Sequence, residues 1–242
     1  MKKILTTAIL CAGLVGFTAC DSFLDEDPKS SLTLDTYYKT SADIIGNVNY
    51  LYRDGAPDKM GNMTGAYRGS SLSVMNMVTG YFVNEYEGQE VDCSYARQLT
   101  RQDFTQSCCN YLTNDTWKSC YKSINVANAV IKYVDGVEMD NQAQYKAEAR
   151  FFRALNYFYL VKMFGDVPMV TEPTEDATLV EYPTRTAASE VFNTVIIPDL
   201  QFAVENLPNA TFAGNSHRVT KYAADMLLAD VYMRLGEYAN AV

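Results

Sequence analysis

A chain of 242 residues, 48% hydrophobic and 20% charged, is long enough to bury a core and too apolar to stay disordered as a whole. Its formal net charge of −9 repels phosphate backbones and anionic headgroups, which argues against nucleic-acid binding and against polybasic docking on a membrane. A neutral ligand fits that charge better.

Lys2 and Lys3 precede an apolar run over 4–19. The run is shorter than the roughly 20 residues that span a bilayer, and it has the build of a secretory signal. Phe17 is too large for the small-residue position of an ordinary cleavage site. Thr18-Ala19-Cys20 instead resembles a bacterial lipobox, with Phe17 where Leu is usual. In a lipobox the cysteine thiol receives a diacylglyceryl group and becomes the new N-terminus. Each buried CH₂ of an acyl chain contributes about 0.8 kcal/mol, so two or three chains on Cys20 would form a nearly irreversible anchor. The alternative use of Cys20 is a free secreted thiol. Cys93, Cys108, Cys109 and Cys120 show no zinc-like spacing; they are buried thiols or disulfide partners, and the sequence alone does not assign a pairing.

Residues 20–36 read as an acidic tether, because charged and small side chains around Pro28 bury too little surface to order themselves. A helix follows, with Ser41 as cap, Ile44, Val48 and Leu51 on one face, and Gly55 as its end. Over 55–113 no period is sustained, which predicts long loops with one or two short helices. From Asn114 or Asp115 as cap, Trp117, Tyr121, Ile124, Ile131 and Val134 form an apolar stripe that Gly136 stops. The next helix is expected from Asn141, with Gln144 completing a capping box, to Gly165. Its aromatic residues between 151 and 164 cover so much of the circumference that it must lie inside a helical assembly. Lys146, Arg150 and Arg153 mark its polar stripe; a solvated face is the favoured reading for Arg150, Arg153 and Glu148, with a buried ion network or a partner-facing patch as the alternatives.

A further helix over 186–206 is kinked or divided by Pro198, and another over 219–235 ends at Gly236, with the next starting at Glu237. Leu228, Ala229, Tyr232, Gly236, Tyr238 and Ala241 stand at the spacing of the first helix and turn of a tetratricopeptide repeat. The chain stops at Val242, about 14 residues short of a 34-residue unit, so the front part of a longer protein is expected. The predicted fold class is all-α: a tetratricopeptide-like helical-repeat scaffold with long irregular loops, incomplete at its C-terminus. Its helical domain occupies 37–242.

A lipobox cysteine followed by "DSFLDEDP", then "AEARFFRALNYFYLVKMFGDVPMV", "VIIPDLQFAVENLP" and "RVTKYAADMLLADVYMRLGEYANA" resembles the SusD/RagB family of outer-membrane nutrient-binding lipoproteins. The resemblance runs from Cys20 to the end of the chain and is most specific over Glu148–Pro168. It implies a lipid-anchored protein on the outer membrane, facing the cell exterior, that captures oligosaccharides and passes them to a SusC-type TonB-dependent transporter. It also implies that Asp25, Glu26 and Asp27 belong to a surface-export signal, and that part of the ligand site lies in N-terminal loops.

Sugar recognition needs aromatic faces against C–H groups, with amides and charged groups for hydroxyls. The stretch 80–101 offers Tyr81, Asn84, Tyr86, Asp92, Tyr95 and Arg97 for this. Trp117 lies on a helical stripe and reads as core. Enzymatic constellations are thin. His217 is the one histidine, in a polar loop, and no nucleophile-elbow, zinc-protease or phosphate-loop motif occurs. No cofactor or metal is expected. Two other readings stand beside glycan capture: a tetratricopeptide-type adaptor for protein partners, and a surface glycoside hydrolase, whose paired carboxylates leave no spacing signature.

Overall fold

A computed structural model describes residues 33–52, 78–81, 101–102, 106–174 and 183–242, without the side chains of residues 35 and 106–115. The chain divides into two units, Met1–Tyr37 and Tyr38–Val242. In the first, α1 (Leu34–Tyr37) is one turn, secured where the Thr36 hydroxyl donates to the Thr33 carbonyl at 3.0 Å.

In the second unit, α2 (Ser41–Tyr50) starts at the residue expected to cap it, one position earlier than predicted. Thr40, with extended backbone, is the cap, and Ser41 is already helical. The Thr40 hydroxyl and N–H both donate to the Asp43 carboxylate, at 2.7 and 2.8 Å, which holds that carboxyl below its ordinary range. Ile44, Val48 and Leu51 are fully buried, as their spacing predicts. Gly55 lies outside the described residues.

Helix α3 runs from Gln106 to Tyr133, so Asn114 and Asp115 lie within it and cap nothing. Ser, Cys and Asn over 106–115 dilute the apolar period, which hides the first turns from a pattern reading. A short connection over 134–141 leads to α4 (Gln142–Phe164) and makes α3 and α4 neighbours. The capping box expected at Asn141 is absent. Asn141 has left-handed backbone (φ 56°), which takes its side chain away from the helix N–H groups, and Gln144 bonds forward to Glu148 instead. Gln142 closes the connection by donating to the carbonyls of Val134 and Val137 at 2.8 and 3.0 Å.

Within this second unit, helix α4 packs against α2, α3, α6 and α7. Phe151, Phe152, Tyr157, Phe158, Leu160 and Val161 are buried on it. Each such side chain contributes about 2 kcal/mol on leaving water. Trp117 is half-buried and packs on Tyr121 and Phe164, while Arg185 lies over its ring.

After α4, a two-residue strand β1 (Val167–Pro168) pairs antiparallel with β2 (Arg185–Thr186). Helix α5 (Ala188–Val191) then widens into a π turn (Phe192–Ile196) and resumes as α6 (Ile197–Asn206), with Pro198 in the first turn. Proline lacks the N–H that an uninterrupted α-helix needs, and the π turn absorbs that break. Helix α7 (Lys221–Leu235) ends at Gly236, whose φ of +76° lets the Glu237 N–H reach the Tyr232 carbonyl at 2.9 Å. The helix expected from Glu237 is only a 3₁₀ turn, Tyr238–Asn240. Tyr232 sits between α6 and α7 and accepts a hydrogen bond from Gln201 at 3.3 Å.

Candidate ligand-binding surface

Two buried ion pairs fix the scaffold that carries the loops. On one side of α4, Arg153 grips Asp199 of α6 through Nε at 2.6 Å and Nη2 at 2.9 Å. Its Nη1 donates to Asn128 of α3, whose amide donates in turn to the carbonyls of Val170 and Glu172. Burial pushes the Asp199 carboxyl up from the usual carboxylate range, and the bonds and charge of Arg153 oppose that shift. On the other side, Glu148 is fully buried and receives Arg218, Gln144 and the Tyr52 hydroxyl. The solvated-face expectation for Glu148 and Arg153 is therefore overturned. Arg150 is half-buried, with its guanidinium over the Phe202 ring at 4.3 Å. An opposite charge brought by a neighbouring helix makes such burial tolerable, and helical spacing within α4 carries no sign of it.

Of the residues expected to contact ligand, Tyr81 is described. It closes a turn over 78–81 in which Gly80 has φ +78°, and its N–H donates to the Thr79 hydroxyl at 3.2 Å. The ring is 90% exposed, free to stack on an apolar face. Asn84, Tyr86, Asp92, Tyr95 and Arg97 lie outside the described residues, as does Cys20. Among the described residues no group of three or more His, Cys, Asp or Glu could hold a metal ion, and no helix is long and apolar enough to cross a membrane.

A second exposed aromatic surface escaped the sequence reading. The loop over 208–220 is tied at its neck by the Lys221 N–H donating to the Pro208 carbonyl at 3.1 Å. It presents Phe212, 59% exposed, with the His217 ring packed edge-on at 5.2 Å. His217 is exposed, as its polar surroundings predict. The signal for Phe212 was a lone aromatic among small and amide residues.

A SusD-like family model, described as starch-binding and associating with the outer membrane, matches residues 22–233. The chain belongs to the SusD/RagB family. SusD-like protein P2 of Formosa agariphila is 29% identical across 100% of this chain and 45% of its own length. A SusD-like protein of Bacteroides ovatus is 29% identical across 98% of this chain and 39% of its own. Among solved structures, a laminarin-binding SusD-like protein superposes with a TM-score of 0.70 at 25% identity, covering 84% of this chain and 42% of that one. A SusD superfamily protein from Parabacteroides distasonis gives 0.62 at 26%, covering 78% and 38%. The chain thus spans less than half the length of these SusD relatives. Its helical scaffold is the family's, and carbohydrate binding with outer-membrane association is what the family's description states.

Proposed function

We propose that this protein is a cell-surface lipoprotein, held to the outer membrane through acylated Cys20, that captures oligosaccharides and delivers them to a SusC-type TonB-dependent transporter. The observation that carries the reading is the family match across 22–233. Three features support it. A neutral sugar suits a chain of net charge −9, the Tyr81 ring stands free in solvent, and a solved relative is named for binding laminarin. Tyr81, Asn84, Tyr86, Asp92, Tyr95 and Arg97 form the proposed contact set, with rings for C–H faces and the polar groups for hydroxyls. The role is capture without bond cleavage.

Calorimetry of the full-length mature protein against soluble starch, laminarin and xyloglucan tests ligand class. Saturable binding with no release of shorter sugars is expected, whereas product release would make the protein a hydrolase. Cys20→Ala should move the protein out of the membrane fraction or leave it with an uncut signal. Unchanged fractionation and unchanged protease accessibility on intact cells would refute the anchor.

A further inference from the structure

We propose that the loop over 208–220 is a second carbohydrate contact. In it Phe212 stacks on the C–H face of a neutral pyranose ring, and the exposed Ser216 hydroxyl, His217 imidazole and Asn209 side-chain NH₂ bond its hydroxyls, the Asn209 Oδ1 already accepting from the Tyr222 hydroxyl at 2.5 Å. The proposal shares the ligand class argued above but uses a separate segment of chain. Several observations carry it.

The loop is built rather than slack. Besides its neck bond, Asn215 N–H donates to the Thr211 carbonyl at 3.0 Å, His217 N–H to Phe212 at 2.9 Å and Arg218 N–H to Asn215 at 2.9 Å. The Asn215 amide is spent inside the loop on the Val219 carbonyl at 2.9 Å. The base is anchored to the core, since Val219 N–H donates to the Tyr52 hydroxyl and Arg218 to Glu148. A compact loop with closed ends and its own internal bonds is a common form for a functional surface.

That rigidity holds an apolar ring in water. Ser216 and His217 are consecutive non-glycine residues with left-handed backbone, φ 52° and 61°. This strained pair accompanies the packing of the imidazole edge on Phe212, and strain of this kind persists only where its surroundings enforce it. The polar residues that flank Phe212 in the loop sequence are uncharged. No Lys, Arg, Asp or Glu occurs from Leu207 through His217, and the charge of Arg218 is committed to Glu148. An anionic partner finds no free cation in the loop and a cationic one no carboxylate. Aromatic face, amide and hydroxyl together are what a neutral sugar requires.

The test uses the full-length mature protein with soluble starch, laminarin and xyloglucan as probes. Phe212→Ala should weaken binding of the polymer by about five- to tenfold, and Phe212→Tyr should restore it. Hydrogen exchange over 209–218 should slow when the polymer is added. Unchanged affinity with unchanged exchange overturns the proposal. Tyr81→Ala with Tyr86→Ala separates the two segments: loss of binding there with a silent Phe212→Ala leaves the first contact standing and removes the second, and the reverse pattern does the opposite. A Phe212→Ala protein that binds sugar normally but no longer co-purifies with its transporter would make the loop a protein-docking surface, against the proposal. Failure of the wild-type protein to bind all three polymers overturns both contacts.

Discussion

Arg218 closes on Glu148 from seventy positions away, with Nη2 at 2.6 Å from one carboxylate oxygen and Nε at 3.0 Å from both. The Tyr52 hydroxyl donates to the same carboxylate at 2.9 Å and accepts from Val219 N–H, while Gln144 donates at 3.1 Å. Arg218 also reaches Asn49 of α2 at 2.8 Å. One buried charge therefore joins the end of α2, the second turn of α4 and the base of the loop that leads into α7.

Removing one partner of such a pair strands the other in a dry site. Arg218→Met, which leaves the fully buried Glu148 unpaired, should lower stability by about 3–5 kcal/mol. Arg218→Met with Glu148→Leu should cost clearly less than the sum of the single changes, because the double variant leaves no unpaired charge. Urea unfolding of the four proteins measures this. Strict additivity would show that the two residues do not act as a pair.

The Arg153 pair reaches a different part of the chain. Asn128 relays it to the carbonyls of Val170 and Glu172, and Val170 N–H is held by the Tyr157 hydroxyl at 2.7 Å. Asn128→Ala should cost about 1–3 kcal/mol and free the segment after β1 first. Amide exchange at Val170 should quicken more than at Leu200, which sits in the core of α6. Equal acceleration at both would mean that the relay has only a global effect.

Helical period made α2, α4, the divided α5–α6 and α7 legible, since each carries apolar residues at regular spacing and a breaker near its end. What failed was information that a second segment supplies. Glu148, Arg150 and Arg153 look like one polar stripe when α4 is read alone. Asp199 and Arg218 bring the charges that let two of them go inside. Capping failed for a related reason, because Asn141 has the right side chain in a left-handed backbone that sequence does not display. The proposed ligand loop is read from composition alone, and Tyr81 is the one member of the proposed contact set among the described residues. Phe212 was missed because a single aromatic carries no period at all.

Cys120 lies on α3 with no exposed surface, and burial pushes its thiol up from the usual 9.0 to about 12. The thiol reacts as the thiolate, so at pH 8 maleimide should leave Cys120 unmodified in the native protein and label it after urea unfolding. Peptide mass spectrometry distinguishes it from the other cysteines. The unfolded chain loses this proton first as pH rises. The group therefore leaves stability unchanged at neutral pH and lowers it progressively between about 9 and about 12. Native labelling at pH 8 would show that α3 opens locally around the residue.

Tyr222, Met226 and Met233 lie on one stripe of α7, at i, i+4 and i+11, and all three are exposed, Met226 by 76%. Tyr238, beyond Gly236, is 70% exposed as well. A stripe of this kind is poorly tolerated in water and associates with another apolar face when one is available. Residues 21–242, free of the apolar run over 4–19, should therefore self-associate with rising concentration in sedimentation velocity. Met226→Lys with Met233→Lys should keep it monomeric without lowering its melting temperature, because both side chains already face solvent. In a longer form of the protein that covers the stripe, the same two changes should instead destabilise the fold, by burying unpaired ammonium groups. A wild-type 21–242 segment that stays monomeric to millimolar concentration would show that these side chains are not a docking surface.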